Sequence, residues 1–367
     1  MDQLVREWPP GFGGVERVAH RIALELKGKV FTLRPAKQSP EPLAVDYARS
    51  FLLSISMGKI IIPFPSKDLM GLLISQKPLL GHLPCPTVLL ICLVSRLINP
   101  NRYIAFYWHA FLHKRPGLLG LFEDIYQRIA LKIIRFFPVI CTSPILSKAL
   151  QDEGIPARQI NYLPCAISPE AEYQLSLICQ ERSRFGYSPT GTLIVIGRLD
   201  SYKRVDWLIR VLSEIPAAKK LIVVGDGPDR LRLEELARKF KSPGQLVSFY
   251  GRVDEKLKYK LLANADALLL PANNCNEAFG IVQLEAMASG IPAFAFDLPR
   301  SGMYWVSQLA GSPWSGQLKD FTGTLEKLLL DDELYKKLSL RARDRYDYEF
   351  SNQIWRYRLT EIRKGSV

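Results

Sequence analysis

Short apolar runs alternate with amphipathic stretches along nearly the whole chain, the pattern of parallel α/β domains. In the first half, residues 8–14 are rich in proline and glycine and predict a turn. Residues 15–27 predict a helix with Val15, Val18, Ala19, Ile22, Ala23 and Leu26 on one face. Strands are expected at 29–34, 101–108, 139–143 and 160–164, and helices at 118–137 and 144–153. Residues 166–190 read as an irregular polar linker. The alternation then restarts, with strands at 192–196, 220–224, 246–250, 265–271 and 293–296. Helices are expected at 204–215, 229–241, 254–264 and 281–289, and two or three more close the chain. Two such domains facing each other would form a cleft between the carboxyl ends of both sheets, where open α/β sheets bind ligands.

Composition narrows the class. At 367 residues and 48% hydrophobic content, two globular domains are expected. The six cysteines form no Cys-x-x-Cys pair, and with four histidines no zinc pattern arises, so reduced thiols in a cytoplasmic protein are expected. Residues 1–7 are charged with no apolar segment after them, so no leader is expected. The net charge of +13 is unevenly spread: residues 51–150 hold eleven Lys/Arg against three Asp/Glu. The same stretch carries the apolar runs 59–64, 86–94 and 118–137, none long enough to span a bilayer. Basic and apolar surface without a span fits a protein resting on an anionic membrane; a buried core with basic loops fits as well. No nucleic-acid module accompanies the charge.

The candidate chemistry centres on residues 277–285. Glu277 falls in a strand-to-helix loop, and Glu285 about two helical turns on, on nearly the same face. The N–H groups of Phe279 and Gly280, near the helix start, suit an anion. Carboxylates for hydroxyls and a helix end for a diphosphate together describe a nucleotide sugar, although two ordinary surface glutamates would read the same way. Gly197 allows close backbone approach, and Arg198 and Lys203 lie beyond the same strand, where both can face a phosphate pair. Gly225 and Gly227 permit either a tight turn or a flat ligand; Gly13 and Gly14, before a helix, either a turn or a phosphate contact. His109 ends a strand and can meet a sugar hydroxyl, with His113 near enough to compete.

These motifs together resemble family 4 of the GT-B glycosyltransferases, over nearly the whole chain. Gly13-Gly14-Val15-Glu16-Arg17 is similar to that family's N-terminal loop and helix. Gly197-Arg198 with Lys203 resembles its phosphate-binding group, and Gly225-Asp226-Gly227-Pro228 its Gly-x-Gly-Pro turn. Glu277-Ala278-Phe279-Gly280 through Glu285 resembles its Glu-x7-Glu block. The resemblance implies two Rossmann-like domains: an acceptor domain at 1–170 and a donor domain at 171–349. It also implies a last helix, within 350–367, crossing back to the first domain. It implies a retaining transfer of a hexose-type sugar from a UDP- or GDP-sugar, with no metal and no other cofactor. Arg198 and Lys203 would hold the diphosphate with help from the Gly14 backbone. Glu277 would take sugar hydroxyls, Glu285 the ribose, and His109 would lie beside the anomeric carbon.

The chain departs from that family at three places. Residues 1–8 are short and charged where a strongly apolar first strand is usual, so that strand is expected to be truncated or atypical. Leu163-Pro164-Cys165 stands where Pro-Asn-Gly is common, and Leu298-Pro299-Arg300 where Gly-Gly is common. A non-catalytic sugar-binding relative is therefore an alternative. An NAD-dependent oxidoreductase is a weaker one, because no Gly-x-Gly-x-x-Gly opens a helix. The acceptor expected from the basic, apolar first half is a glycan or a lipid-linked glycan of the cell surface, met on the inner face of the membrane.

Overall fold

The computed structural model describes residues 1–7, 13–35, 45–57, 60–184, 186, 188–240, 242–308 and 318–364. Most of the turn expected at 8–14, with Lys59 and Lys241, lies outside them. The chain forms two compact units, residues 1–165 and 166–367.

The first unit holds an eight-stranded sheet. Its strands are β1 (Asp2–Val5), β2 (Val30–Pro35), β3 (Arg49–Met57), β4 (Ile60–Pro63), β5 (Leu79–Leu83), β6 (Ile104–Trp108), β7 (Val139–Cys141) and β8 (Ile160–Tyr162). They lie in the order β4-β3-β2-β1-β5-β6-β7-β8, parallel except for the β3–β4 pair. The second unit holds a five-stranded parallel sheet in the order β11-β10-β9-β12-β13. There β9 is Thr192–Ile196, β10 Lys220–Val224, β11 Leu246–Gly251, β12 Ala267–Leu270 and β13 Ala293–Ala295.

One expectation is sharpened and one is corrected. The first strand, expected to be truncated or atypical, is the four-residue β1 with Asp2 and Gln3 in it, and it sits mid-sheet between β2 and β5, buried at all four positions. Its polar residues are tolerated because they are bonded, as buried polar groups must be. Asp2 Oδ1 accepts from the Lys29 N–H at 2.9 Å, and Gln3 Nε2 donates to the Ala19 carbonyl at 3.1 Å. The linker at 166–190 is mostly a helix, Pro169–Arg184, opening with Glu170 and Glu172 and closing with Arg182 and Arg184, charges that suit the helix ends. It has little apolar periodicity and is held by polar contacts: Glu172 accepts from Asn352, and Arg182 Nη1 donates to the Ala263 carbonyl at 2.7 Å. The apolar run at 86–94 is part of a helix, Pro86–Ile98, with proline in its first turn.

In the first unit the helix Gly14–Leu26 packs Ala19 and Ala23 against Val5 and Val30. In the second, Leu270, Ala272, Ala295 and Met303 form a buried cluster at the carboxyl ends of β12 and β13, with Tyr202, Val282 and Leu298 packed on it. Each fully buried Leu or Met contributes about 1.5–3 kcal/mol. That cluster is the floor under the loops described next.

Candidate functional site

Three loops converge at the carboxyl ends of β9, β10 and β12. Gly197 follows β9 at φ +154°. The chain then passes Arg198 and a 3-10 turn, Ser201–Lys203. The Asn273 N–H donates to the Tyr202 carbonyl at 3.0 Å, tying this turn to the loop after β12. Lys203 Nζ is thereby brought against Glu277 Oε2, both side chains 14% exposed, and an added Cβ on Gly197 would lie 3.7 Å from that ammonium. Burial by itself lowers the Lys203 pKa, but the facing Glu277 carboxylate, with Tyr202 and Asp200, outweighs it and leaves the pKa above its ordinary value. Lys203 is therefore a fixed positive charge. Arg198 is different: its side chain is 71% exposed and pairs with Asp200 at 3.2 Å.

The paired glycines after β10 serve loop packing. A Cβ on Gly225, at φ +129°, would sit 1.9 Å from the Gly197 carbonyl oxygen, and one on Gly227 would sit 2.4 Å from that of Leu199. Both loops are laced by backbone bonds, Leu199 N–H to the Asp226 carbonyl and Asp229 N–H to that of Leu199. Only glycine permits that approach.

After Glu277, Ala278 and Phe279 are buried, and Gly280 takes φ +73° against Leu270. The helix itself is Val282–Ala288, so Phe279 and Gly280 precede its first turn. The two carboxylates are held by different lysines. Glu285, 2% exposed, pairs at 2.9 Å with Lys258 of the helix Glu255–Ala263, and Lys258 also reaches Glu255 at 2.8 Å. Sequence reading missed Lys258, since one lysine in a charged helix carries no signal. It also missed Ser301, whose hydroxyl donates to the Glu277 carbonyl at 2.6 Å, while the Gly302 N–H donates to the Ala278 carbonyl at 2.8 Å. Its only hint was the unusual Leu298-Pro299-Arg300 just before it.

In the first unit, His109 follows β6 and is buried, its ring stacked on Tyr107 with centroids 4.3 Å apart. Its Nε2 lies 2.8 Å from Nδ1 of His82, a residue of β5, and His82 Nε2 lies 2.9 Å from Gln3 Oε1 of β1. Burial pushes the His82 pKa down to about 3; burial and the neighbouring His82 hold His109 well below its ordinary value. Both rings are neutral at pH 7. His113 is exposed. Gly13 caps the helix that begins at Gly14, and the Glu16 carboxylate folds back over it: a Cβ on Gly13 would sit 2.1 Å from Glu16 Oε2. A carboxylate thus occupies the helix end where a phosphate contact is expected.

Residues 186–345 match the model of the family "Glycosyl transferases group 1". This region is a group 1 glycosyl transferase domain. Among its relatives is the N-acetyl-alpha-D-glucosaminyl L-malate synthase of Bacillus anthracis, 29% identical over 182 residues, which are 47% of this chain and 45% of the relative. Another is the GDP-mannose-dependent monoacylated alpha-(1-6)-phosphatidylinositol monomannoside mannosyltransferase of Corynebacterium glutamicum, 30% identical over 191 residues, 49% of each chain. The matches span about half the length of these curated relatives. Among solved structures, Anabaena HepE in complex with UDP-glucose covers 99% of both chains with a TM-score of 0.73 at 17% identity. The fold of the chain is thereby GT-B. Its β9 and β12 loops, with Gly197, Lys203 and Glu277, lie within the matched region.

Proposed function

We propose that the protein is a retaining family 4 glycosyltransferase that moves a hexose-type sugar from a UDP- or GDP-sugar to a lipid-linked or cell-surface glycan acceptor. The observation that carries this reading is the Lys203–Glu277 contact over Gly197. It joins a cation suited to a departing phosphate with a carboxylate suited to sugar hydroxyls. In the reaction, the bond from the anomeric carbon to the phosphate oxygen breaks, and Lys203 and Arg198 offset the charge that gathers on the diphosphate. The acceptor hydroxyl forms its bond on the same face and passes its proton to the departing phosphate oxygen. Two lysine- and arginine-borne charges make a metal unnecessary on this reading; Glu285, assigned to the ribose by the resemblance, is buried against Lys258 and would have to open to reach it. HepE binding UDP-glucose and the mannosyltransferase's use of GDP-mannose support the donor class. Donor binding is tested by thermal shift with UDP-, GDP- and ADP-sugars. A donor at 100 times its Kd is expected to stabilise by about 2.7 kcal/mol, and much less in Glu277→Ala. No shift with any of them would reject the reading; a shift without transfer or hydrolysis would establish the non-catalytic relative instead.

The acceptor side of the proposal rests on the helix Leu118–Ile134. Its inward side is Gly120, Gln127, Ala130, Leu131 and Ile134. The opposite side is exposed and apolar: Leu118 is 76% exposed, Phe122 67%, Ile129 51%, and Phe136 just beyond the helix 75%. Lys132 and Arg135 lie in the same stripe and are exposed, and Arg128 is paired with Asp124 at 2.8 Å. Apolar side chains flanked by cations fit an anionic bilayer surface. Among the described residues no helix is long and apolar enough to cross a membrane. The phosphatidylinositol-based acceptor named for the corynebacterial relative supports a lipid-linked one here. Co-sedimentation with anionic vesicles should fall as salt rises and in Lys132→Glu/Arg135→Glu, each cation near the surface being worth about 1 kcal/mol. Equal binding to neutral and anionic vesicles would leave a water-soluble acceptor as the better reading.

A further inference from the structure

The buried chain from β1 to His109 has a direction that can be read bond by bond. Gln3 Nε2 lies 3.1 Å from the Ala19 carbonyl oxygen, which can only accept, so the amide nitrogen must face it. That places Gln3 Oε1, an acceptor, against His82 Nε2, which must then carry a hydrogen. A neutral His82 protonated on Nε2 has a lone pair on Nδ1, so His109 Nε2 must donate to it. The ring geometry agrees: the two imidazole planes are 19° apart with centroids at 5.1 Å, as for an in-plane N–H···N bond of 2.8 Å. Every link is buried, with Gln3 0%, His82 2% and His109 6% exposed. The three side chains come from β1, the interior of β5 and the residue just after β6.

We infer that Gln3 and His82 are positioning residues that hold His109 as its Nε2–H tautomer, which leaves Nδ1 as a hydrogen-bond acceptor for a sugar hydroxyl. The part concerning the hydroxyl rests on the function proposed above; the tautomer does not. Among the described residues nothing hydrogen-bonds Nδ1 within the chain. A histidine locked this way accepts from an O–H and cannot donate, so it favours a hydroxyl presented with its hydrogen toward the ring. Tyr107, stacked on the same ring, fixes its plane.

The full-length protein labelled with 15N-histidine reports the tautomer directly at pH 7, without turnover. With four histidines the spectrum is assignable through His20→Gln and His113→Gln. The expected result is Nε2–H for both His82 and His109. Gln3→Glu puts an anion against His82 Nε2, favouring a doubly protonated His82 that donates from Nδ1 and drives His109 to its Nδ1–H form. An Nδ1–H ring at His109 in the wild type, or a His109 tautomer unmoved by Gln3→Glu in a folded protein, would overturn the inference. In transfer assays, His109→Ala and Gln3→Glu should each lower kcat/KM by about tenfold, the worth of one neutral hydrogen bond, and the double variant no further. Unimpaired transfer by His109→Ala would overturn the hydroxyl contact while the spectrum still decides the tautomer. Should Gln3→Glu not fold, His82→Gln serves in its place, with the His109 ring signal expected to lose its single-tautomer pattern.

Discussion

Replacing Lys203 with alanine is expected to slow sugar transfer by about a hundredfold or more, the cost of removing one preorganised donor to developing charge. The ammonium is held in place before any ligand arrives. Its stem packs in the loop after β9, its charge meets Glu277, and the neighbouring carboxylate keeps it protonated. No reorganisation is needed when charge builds on the leaving group, which is what makes a fixed cation effective. Arg198, exposed and tied to Asp200, should matter less: Arg198→Ala is expected to fall short of the Lys203 effect. The measurement is steady-state kinetics with an active donor in excess EDTA, alongside Glu277→Ala. Because Lys203 and Glu277 are in contact, their effects should not add. Near-wild-type rates in a folded Lys203→Ala protein, or a strict requirement for Mg²⁺ or Mn²⁺, would overturn the metal-free leaving-group assignment.

Lys258→Met is expected to destabilise the second unit by about 3–5 kcal/mol, because it removes the Lys258 counter-charge from the buried Glu285 carboxylate. Both partners are nearly inaccessible, with side chains 7% and 3% exposed, so water cannot take the lysine's place. The pair variant Lys258→Met/Glu285→Leu should recover most of that stability, since an apolar pair of similar volume removes both the charge and its desolvation cost. Donor affinity should not recover with it if Glu285 meets the ribose. Urea unfolding followed by a probe in the second unit separates the two effects, two units being unsuited to a single two-state fit. An unchanged midpoint for Lys258→Met would mean that the pair is not desolvated as the geometry indicates.

Much of the architecture was legible along the chain, for a local reason. Residues 192–196 and 220–224 are runs that, after Thr192 and Lys220, are apolar and rich in β-branched residues, and β9 and β10 match them residue for residue. Asp254 before an amphipathic stretch caps the helix Glu255–Ala263 by accepting from the Leu257 N–H at 2.7 Å. The glycines flagged after β9 and β10 proved to be where two backbones touch. The resemblance to GT-B enzymes likewise lay in contiguous motifs, each contained in one strand-to-loop passage.

What the sequence could not decide was the partner of each buried polar side chain. Residues 1–8 read as a truncated or atypical strand because the partners of Asp2 and Gln3 lie at Lys29, Ala19 and His82, far along the chain, and only sheet assembly brings them together. Residues 166–190 read as a linker because the helix within them is stabilised by Glu172 with Asn352 and Arg182 with the Ala263 carbonyl, not by an apolar stripe of its own. Glu277 and Glu285 share a motif, yet one lies against Lys203 and the other against Lys258, from different loops and helices. Periodicity records which face of an element avoids water, a property of neighbouring residues. The hydrogen bond or counter-charge that lets a polar group be buried comes from a residue distant in sequence, so only the tertiary structure specifies it.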